Sequence, residues 1–362
     1  MINNFRILID ARMVYQNTHG IGRYVVNLVQ GLSLLGQNVS ILTNSMQTKE
    51  IIGEKFITDV ITCKKDFVSP LAPLDLSIAL RKKKFDIIHF PSFDLPLVMP
   101  ENCVVTLHDM THLHKPAKPR NILYYSSIVR HGLSRAKKVI AVSEWTKNEI
   151  HKYLKTPLDK ISVVRNGLEE KWFESDQQNK SLYNSKLTLS NSYFLCLSNP
   201  KPHKNVITLI RSCQKLWSDG KDFSLVLSLG GEKIPDDWDL TPSQLKKIVL
   251  LNQASDQELM TYYKNSVALI SPSLLEGYNY PVAEALAVGC PAIVADTSAN
   301  AEFRGGNIAF YRPAESSDAL TKLMIHALDN QHSKNENTNH NVITRQKMAE
   351  ETLAIYAGNF AI

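Results

Sequence analysis

The stretch Val267–Asp296, VALISPSLLEGYNYPVAEALAVGCPAIVAD, decides the fold. It opens on a short apolar run, VALISP, passes through a turn-forming GYNYP, continues as a helix and closes on a second apolar run, PAIVAD. A buried strand, a helix and another buried strand in that order make one parallel βαβ unit. The turn also raises a chemical question, because two carboxylates, Glu276 and Glu284, flank it eight positions apart. Pro281 suits a first helical turn, Asn279 tolerates a left-handed backbone and Gly277 admits close approach, so the amides of Gly277 to Tyr280 are able to face a phosphate. Carboxylates beside a bound polyanion repel it unless they face hydroxyls, which makes a sugar and a ribose their natural partners. The plainer alternative is a capped helix packed on a strand.

Outward from this unit the same alternation fills the chain. In the first half the strands are FRILID, NVSILT, DIIHF, CVVTLH, KVIAVS and ISVV; in the second they are YFLCLS, SLVLSL, KIVLL, VALISP, PAIVAD and NIAFY. With 362 residues, the chain exceeds what one core usually serves. The expected fold class is therefore α/β, with two tandem Rossmann-like doubly wound domains facing across a cleft. Their expected spans are residues 1–185 and 186–340, split in the polar, aperiodic stretch from Glu174 to Asn191. Residues 341–362, after the polar NQHSKNENTNHN, form a C-terminal helix expected to pack back on the first domain.

Composition narrows the class further. Apolar residues make up 44% and charged residues 21%, which is ordinary for a folded globular protein. The net charge of +6 is uneven: residues 1–189 hold 26 Lys and Arg against 17 Asp and Glu, and residues 190–362 hold 15 against 18. The run RKKK, Arg81 to Lys84, and the segment from Lys115 to Lys138 with Tyr124, Tyr125, Arg130, Arg135 and Lys137 suit an anionic membrane surface or a phosphorylated acceptor. Solvated helix faces are the plainer reading of both. Five scattered cysteines, Cys63, Cys103, Cys196, Cys213 and Cys290, read as reduced core thiols. No apolar stretch reaches about 18 residues, and MINNFRILID reads as a first strand. The expectation is a cytoplasmic protein, attached at most peripherally to the inner face of a membrane, with no nucleic-acid partner.

Other turns carry possible chemistry. THGIGRYVVNLVQGL, Thr18 to Leu32, is a glycine turn feeding a helix, where Gly20 and Gly22 let the backbone approach a ligand and free N–H groups favour an anion. CVVTLHDMTHLH delivers His108 and Asp109 to the carboxyl edge of the first sheet, where open α/β sheets bind ligands. His112 and His114 follow without a companion cysteine or carboxylate cluster, and DWD at Asp237–Asp239 lies in a polar loop, so no metal site is expected. LSNPKPHKNVITLIRSC sets Lys201, His203 and Lys204 between a strand and a helix, where lysine, a point charge, suits a diphosphate; a solvated loop is the plainer alternative.

Taken in order, GIGRYVVNL, VVTLHDMT, AKKVIAVSEWTKNEI, ISVVRNGL, PKPHKNVITLI, SDQELMTYYKNSVALISPS and EGYNYPVAEALAVGCPAIVAD resemble the family-4 glycosyltransferases of the GT-B fold, from about Arg6 to about Leu320. The resemblance implies retaining transfer of a hexose from a nucleotide-sugar to a glycan or lipid-diphosphate-linked glycan, without a metal or other cofactor. It implies that Glu276 meets the donor sugar's hydroxyls and Glu284 the ribose, with Lys204 and the amides of Gly277, Tyr278, Asn279 and Tyr280 on the diphosphate. Gly20 then approaches the phosphates, His108 positions and charges the reacting centre, and Gln253, in the loop Asn252 to Ala254, lies near the base. Two positions depart from the family pattern. Asn199 stands where many relatives carry arginine, so that either Lys201 or His203 replaces its charge or the diphosphate is held less tightly, and Glu276-Gly-Tyr-Asn279 stands for Glu-Gly-Phe-Gly. The PHKN loop resembles those of bacterial surface-polysaccharide enzymes and tilts the donor towards GDP-mannose. The competing expectations are a nucleotide-sugar epimerase on the same fold and a non-catalytic sugar-nucleotide-binding scaffold.

Overall fold

The computed structural model describes residues 4–15, 20–81, 83–114, 117–174, 192–330 and 341–360. Thr18, Lys82, Lys115, the loop 331–340 and all but the first residue of the expected linker Glu174–Asn191 lie outside the described residues. The chain forms two compact units, Met1–Glu169 with Ile343–Ile362, and Glu170–Val342.

The first unit is built on seven parallel strands: β1 (Arg6–Asp10), β2 (Asn38–Thr43), β3 (Val60–Thr62), β4 (Ile87–Phe90), β5 (Cys103–Leu107), β6 (Lys138–Ala141) and β7 (Ile161–Val163). Their order is β3-β2-β1-β4-β5-β6-β7, so the direction of winding reverses between β1 and β4. A short β8 (Gly167–Leu168) follows. The helices are α1 (Ile21–Leu34), α2 (Gln47–Ile52), α3 (Ala72–Leu80), α4 (Pro119–Tyr124), α5 (Arg130–Arg135) and α6 (Glu144–Leu154). Alternation along each strand feeds two cores. Leu8, Ile88, Val105 and Val139 pack on one face of the sheet, whereas Ile7, Ile9, Ile87, Val104 and Ile140 pack on the other. Helix α1 buries Tyr24, Val25, Leu28, Val29 and Leu32, a stripe at helical period, against that second face. Full burial of each such side chain contributes about 1.5–3 kcal/mol.

The second unit carries six parallel strands: β9 (Tyr193–Leu197), β10 (Ser224–Ser228), β11 (Ile248–Leu250), β12 (Ala268–Ser271), β13 (Ala292–Ala295) and β14 (Ile308–Tyr311), in the order β11-β10-β9-β12-β13-β14. Its switch point lies between β9 and β12. Helices α7 (Val206–Ser218), α8 (Pro242–Leu245), α9 (Asp256–Asn265), α10 (Tyr280–Ala287) and α11 (Ser317–Asp329) complete it. The boundary, expected at 185/186, falls earlier. Trp172 is fully buried with its ring edge-on to Tyr263, and Lys171 pairs with Asp256 at 2.8 Å, so the chain joins the second unit at Glu170.

The last segment, β15 (Ile343–Thr344) and α12 (Arg345–Asn359), belongs to the first unit. Strand β15 pairs with β8, and a Cβ at Gly167 would stand 2.5 Å from the carbonyl oxygen of Thr344, so only glycine admits that pairing. Helix α12 lies against α1 at Gly31, where a Cβ would stand 2.7 Å from that of Ala349. All five cysteines are free and buried. Among the described residues no helix is long and apolar enough to cross a membrane.

Candidate functional site

Helix starts separate the scaffold from the candidate site. Helices α6, α9, α11 and α12 begin at Ser143, Ser255, Ser316 and Thr344, whose hydroxyls accept a backbone N–H of the first turn. Helices α1, α7 and α10 begin instead at Gly20, Asn205 and Asn279, all at positive φ and none accepting a first-turn N–H. Helices α2, α3, α4 and α5 also lack a side-chain cap, at Met46, Leu71, Lys118 and Val129, but all four of these residues have negative φ. The starts of α1, α7 and α10, without a side-chain cap, follow the carboxyl ends of β1, β9 and β12, the strands at the two switch points, where open α/β sheets bind ligands.

In the second unit the turns after β9 and β12 are bolted together. Leu274 N donates to the carbonyl of His203 at 2.8 Å. The buried Asn205 amide reaches the carbonyls of Pro272 at 3.2 Å and Ala314 at 3.0 Å, and its oxygen accepts from Thr208 Oγ1 at 2.8 Å. On this frame Lys204 Nζ meets Glu276 Oε1 at 2.6 Å, both side chains only partly exposed. Asn199 accepts from the amide of Lys201 at 3.2 Å, so its side chain shapes the turn; Lys201 itself is exposed.

Asn279 adopts φ 72°, the left-handed region expected for it. Its buried amide donates to Ser271 Oγ at 2.8 Å and to Asn300 Oδ1 at 2.7 Å, and Asn300 Nδ2 donates to the carbonyl of Ala295 at 3.0 Å. Asparagine in place of glycine thus ties α10 to β12 and β13 by hydrogen bonds that glycine cannot make. The rings of Tyr278 and Tyr280 are buried and in contact at 5.5 Å, with Tyr278 also against Phe303.

The two glutamates occupy different surroundings. Glu276 lies on Lys204 at the mouth of the turn, whereas Glu284 is 2% exposed and accepts from Tyr263 Oη at 2.7 Å. Gln253 stands apart, exposed in the loop between β11 and α9.

In the first unit, Gly20 has φ 53° and ψ −107°, a backbone that only glycine takes readily. His108 follows β5, and its Nε2 lies 3.2 Å from the carbonyl of Pro91. A carbonyl only accepts, so Nε2 carries the proton. Its backbone is fixed by α6: Thr146 Oγ1 donates to the carbonyl of His108 at 3.0 Å, and Ser143 caps the helix through Thr146 N. That contact gives the SEWT of the sequence a mechanical role. Burial holds the His108 pKa down at about 4, against the opposing pull of Asp109 and the Pro91 carbonyl. The expectation that His108 supplies charge is corrected accordingly: at neutral pH it is an uncharged hydrogen-bonding group.

Beneath His108 runs a buried polar chain that sequence reasoning missed. Tyr24 meets His108 edge-on at 4.7 Å, and its hydroxyl lies 3.1 Å from Thr106 Oγ1. Thr106 Oγ1 lies 2.7 Å from His89 Nε2, and His89 Nδ1 lies 2.6 Å from Tyr356 Oη on α12. A second missed group is Arg12, buried at the switch point between Asp10 (2.7 Å) and Asp94 (3.2 Å). Asp94 also accepts from Val68 N and Tyr124 Oη, so this cluster is a crosslink of three loops. His114 pairs with Glu149, and the ring of His112 lies on Phe93.

Comparison with known proteins follows the same two units. Residues 18–172 match Glycosyltransferase Family 4, and residues 179–347 match Glycosyl transferases group 1. The chain is 30% identical over 203 residues to the O-antigen chain mannosyltransferase RfbU of Salmonella typhimurium, covering 56% of this chain and 54% of that protein. It is 26% identical over 243 residues to O-antigen chain mannosyltransferase B of Escherichia coli, covering 65% and 63%. The matches thus span between half and two thirds of the length of these relatives. A crystal structure of a glycosyltransferase from Rickettsia africae superposes with a TM-score of 0.74 at 19% identity over 98% of both chains. With both of its α/β units matched in order, the chain belongs to the family-4 glycosyltransferases of the GT-B fold.

Proposed function

We propose that the protein is a retaining, metal-independent hexosyltransferase that moves mannose from GDP-mannose to a hydroxyl of a lipid-diphosphate-linked glycan at the inner face of an anionic membrane, in surface-polysaccharide synthesis. The observation that carries the reading is the Lys204–Glu276 pair beside the uncapped start of α10, at the switch point of the second sheet. The mannosyltransferase names of two relatives favour mannose among hexoses.

The chemistry demands a cation and dipoles where charge grows. As the bond from C1 to the diphosphate breaks, negative charge accumulates on the leaving oxygen, and the sugar passes through an oxocarbenium-like state. Lys204 and the amides of Gly277 to Tyr280 stabilise that charge more in the transition state than in the ground state. Glu276, released by the lysine, takes hydroxyls of the sugar, and Glu284, held by Tyr263, takes the ribose. The acceptor oxygen then bonds to C1 on the face the phosphate leaves, and its proton passes to the departing phosphate oxygen. His108 positions without charge.

Thermal unfolding with a panel of nucleotide-sugars tests the donor. A ligand at 100 times its dissociation constant adds about 2.7 kcal/mol of stability. GDP-mannose is expected to raise the midpoint most, and nuclear magnetic resonance of the product to show the donor's anomeric configuration. No stabilisation by any nucleotide-sugar overturns the reading; donor turnover without acceptor points to an epimerase.

A further inference from the structure

Helix α3, Ala72–Leu80, is apolar on both of its faces. Ala72, Pro73, Leu76 and Leu80 face the core, yet Leu74 and Ile78 are 50% and 62% exposed, and Leu71, just before the helix, is 55% exposed. A surface helix ordinarily turns its polar residues to water. Here the two polar residues are engaged elsewhere. Asp75 accepts from the backbone amides of Lys64 and Lys65 at 2.7 and 2.9 Å. Ser77 donates to the carbonyl of Pro73 at 2.8 Å and accepts from Val98 N at 3.0 Å.

The last contact extends the apolar face. Leu97 N donates to the carbonyl of Pro73 at 3.0 Å, and Leu97 and Val98, 48% and 73% exposed, are thereby held beside α3. Leu97 also lines a cavity of about 220 Å³ with Pro96, Ser127, Ile128 and His131. Leu123, 69% exposed, lies one turn before Ser127, whose hydroxyl donates to its carbonyl. Cations border this surface. Arg81, Lys83 and Lys84 directly follow α3, and Arg130 directly precedes His131; all four are exposed and form no ion pair among the described residues.

We infer that this surface, the outer face of α3 with Leu97 and Val98, docks on an anionic bilayer. The apolar residues enter the headgroup region while Arg81, Lys83 and Lys84 meet lipid phosphates, the combination that peripheral attachment requires. Charge complementarity selects lipid over a second copy of the chain, since two copies would bring like-charged rims together. The inference rests on the peripheral attachment proposed above and assigns it to α3 beside the RKKK run, one of the two basic stretches the sequence pointed to, rather than to the segment from Lys115 to Lys138.

Sedimentation of the purified chain with vesicles of zwitterionic phosphatidylcholine, alone or mixed with anionic phosphatidylglycerol, tests it. The wild type is expected to sediment with the mixed vesicles and to be released by salt. Leu74→Glu with Ile78→Glu changes only exposed positions and is expected to lower partitioning by at least about tenfold. Lys83→Glu with Lys84→Glu is expected to remove the preference for anionic lipid. Circular dichroism and the thermal shift with GDP-mannose check that both variants keep their fold and donor site. Undiminished sedimentation of the Leu74/Ile78 variant overturns the assignment to α3. A wild type that sediments with neither vesicle, while nucleotide-sugar still stabilises it, removes membrane attachment and leaves the transferase reading standing. Conversion of a wild-type dimer to monomer by Leu74→Glu with Ile78→Glu, with sedimentation unchanged, assigns the face to self-association instead.

Discussion

Lys204 and Glu276, 72 positions apart in sequence, meet at 2.6 Å across the switch point of the second sheet. Neither is deeply buried, with side chains 20% and 15% exposed, so the pair contributes little to folding and much to placement. The pair places a cation and a carboxylate together at the carboxyl edge of the sheet, each the other's partner. On the function proposed above, a diphosphate would compete with Glu276 for the lysine, and the sugar's hydroxyls would then take up the glutamate.

Replacing Lys204 with alanine removes the cation that the proposed mechanism sets against the leaving group. Turnover is expected to fall by roughly 10² to 10³, the scale of one transition-state electrostatic contact. Initial rates with GDP-mannose, with and without EDTA, measure it. Near-normal turnover of the variant, or wild-type activity abolished by the chelator, counts against a lysine in this role.

Glu276→Ala has a less obvious consequence. Because the carboxylate occupies Lys204 before the donor binds, its removal frees the lysine for phosphate. Free GDP is expected to bind at least as tightly as to the wild type, while transfer falls because the sugar loses its partner. Calorimetric titration with GDP, beside initial rates with the full donor, separates the two effects. Weaker GDP binding assigns Glu276 to supporting the turn.

Much of this frame was legible in the sequence, and the reasons are local. Twelve strands announced themselves as apolar runs; β8 and β15, of two residues each, are too short to carry a period, and β3 (VIT) is broken by a threonine, whereas β7 and β11, equally short, lie in longer apolar runs. Asn279 was legible as a left-handed cap because its conformation depends on its own side chain. Asn205 carries a similar signal, an asparagine just before a helix, but its function as a bolt depends on Pro272 and Ala314, which only folding brings near. Arg12 sits two residues after Asp10, yet its second partner, Asp94, comes from the far side of the switch point. The outer face of α3 was hidden for the opposite reason: apolar residues in a short helix read as core until their exposure is seen.

Tyr263 supports Glu284 from α9, and Tyr263→Phe removes the hydroxyl while keeping the ring that packs on Trp172. A hydrogen bond to a buried charged group contributes about 1.5 to 3 kcal/mol, so urea unfolding is expected to show a loss of that size. GDP affinity is expected to fall with it if Glu284 holds the ribose. A loss of stability with unchanged GDP affinity leaves Glu284 a structural residue.

Gly31 sits where α12 crosses α1. Alanine there gains about 1 kcal/mol of helix propensity, but its Cβ would stand 2.7 Å from Ala349 Cβ and 3.1 Å from the Arg345 carbonyl oxygen. Overpacking of a close helix contact costs about 1–3 kcal/mol, so the net expectation for Gly31→Ala is destabilisation. Adding Ala349→Gly removes the nearer clash and is expected to restore part of the loss. A double-mutant cycle with zero coupling would refute this packing account.

His89 sets the acid limit of the first unit. Fully buried between Tyr356 and Thr106, it has its pKa lowered from 6.5 to about 3, first by burial and then by His108. The folded state therefore keeps a neutral imidazole where the unfolded chain takes up a proton. Stability from this source is complete above pH 6.5 and is lost as pH falls from there towards about 3, by up to about 1.4 kcal/mol per pH unit. His108, lowered to about 4, adds in the same direction. Urea midpoints measured from neutral pH down to about 4 are expected to fall steadily, and His89→Asn to be less stable at neutral pH but flatter in its pH dependence by about one proton. Because Tyr24 links this chain to the ring of His108, the variant is also expected to lower kcat more than it raises KM. An acid slope as steep as that of the wild type would place the titrating group elsewhere, and His89 would then be a packing residue alone.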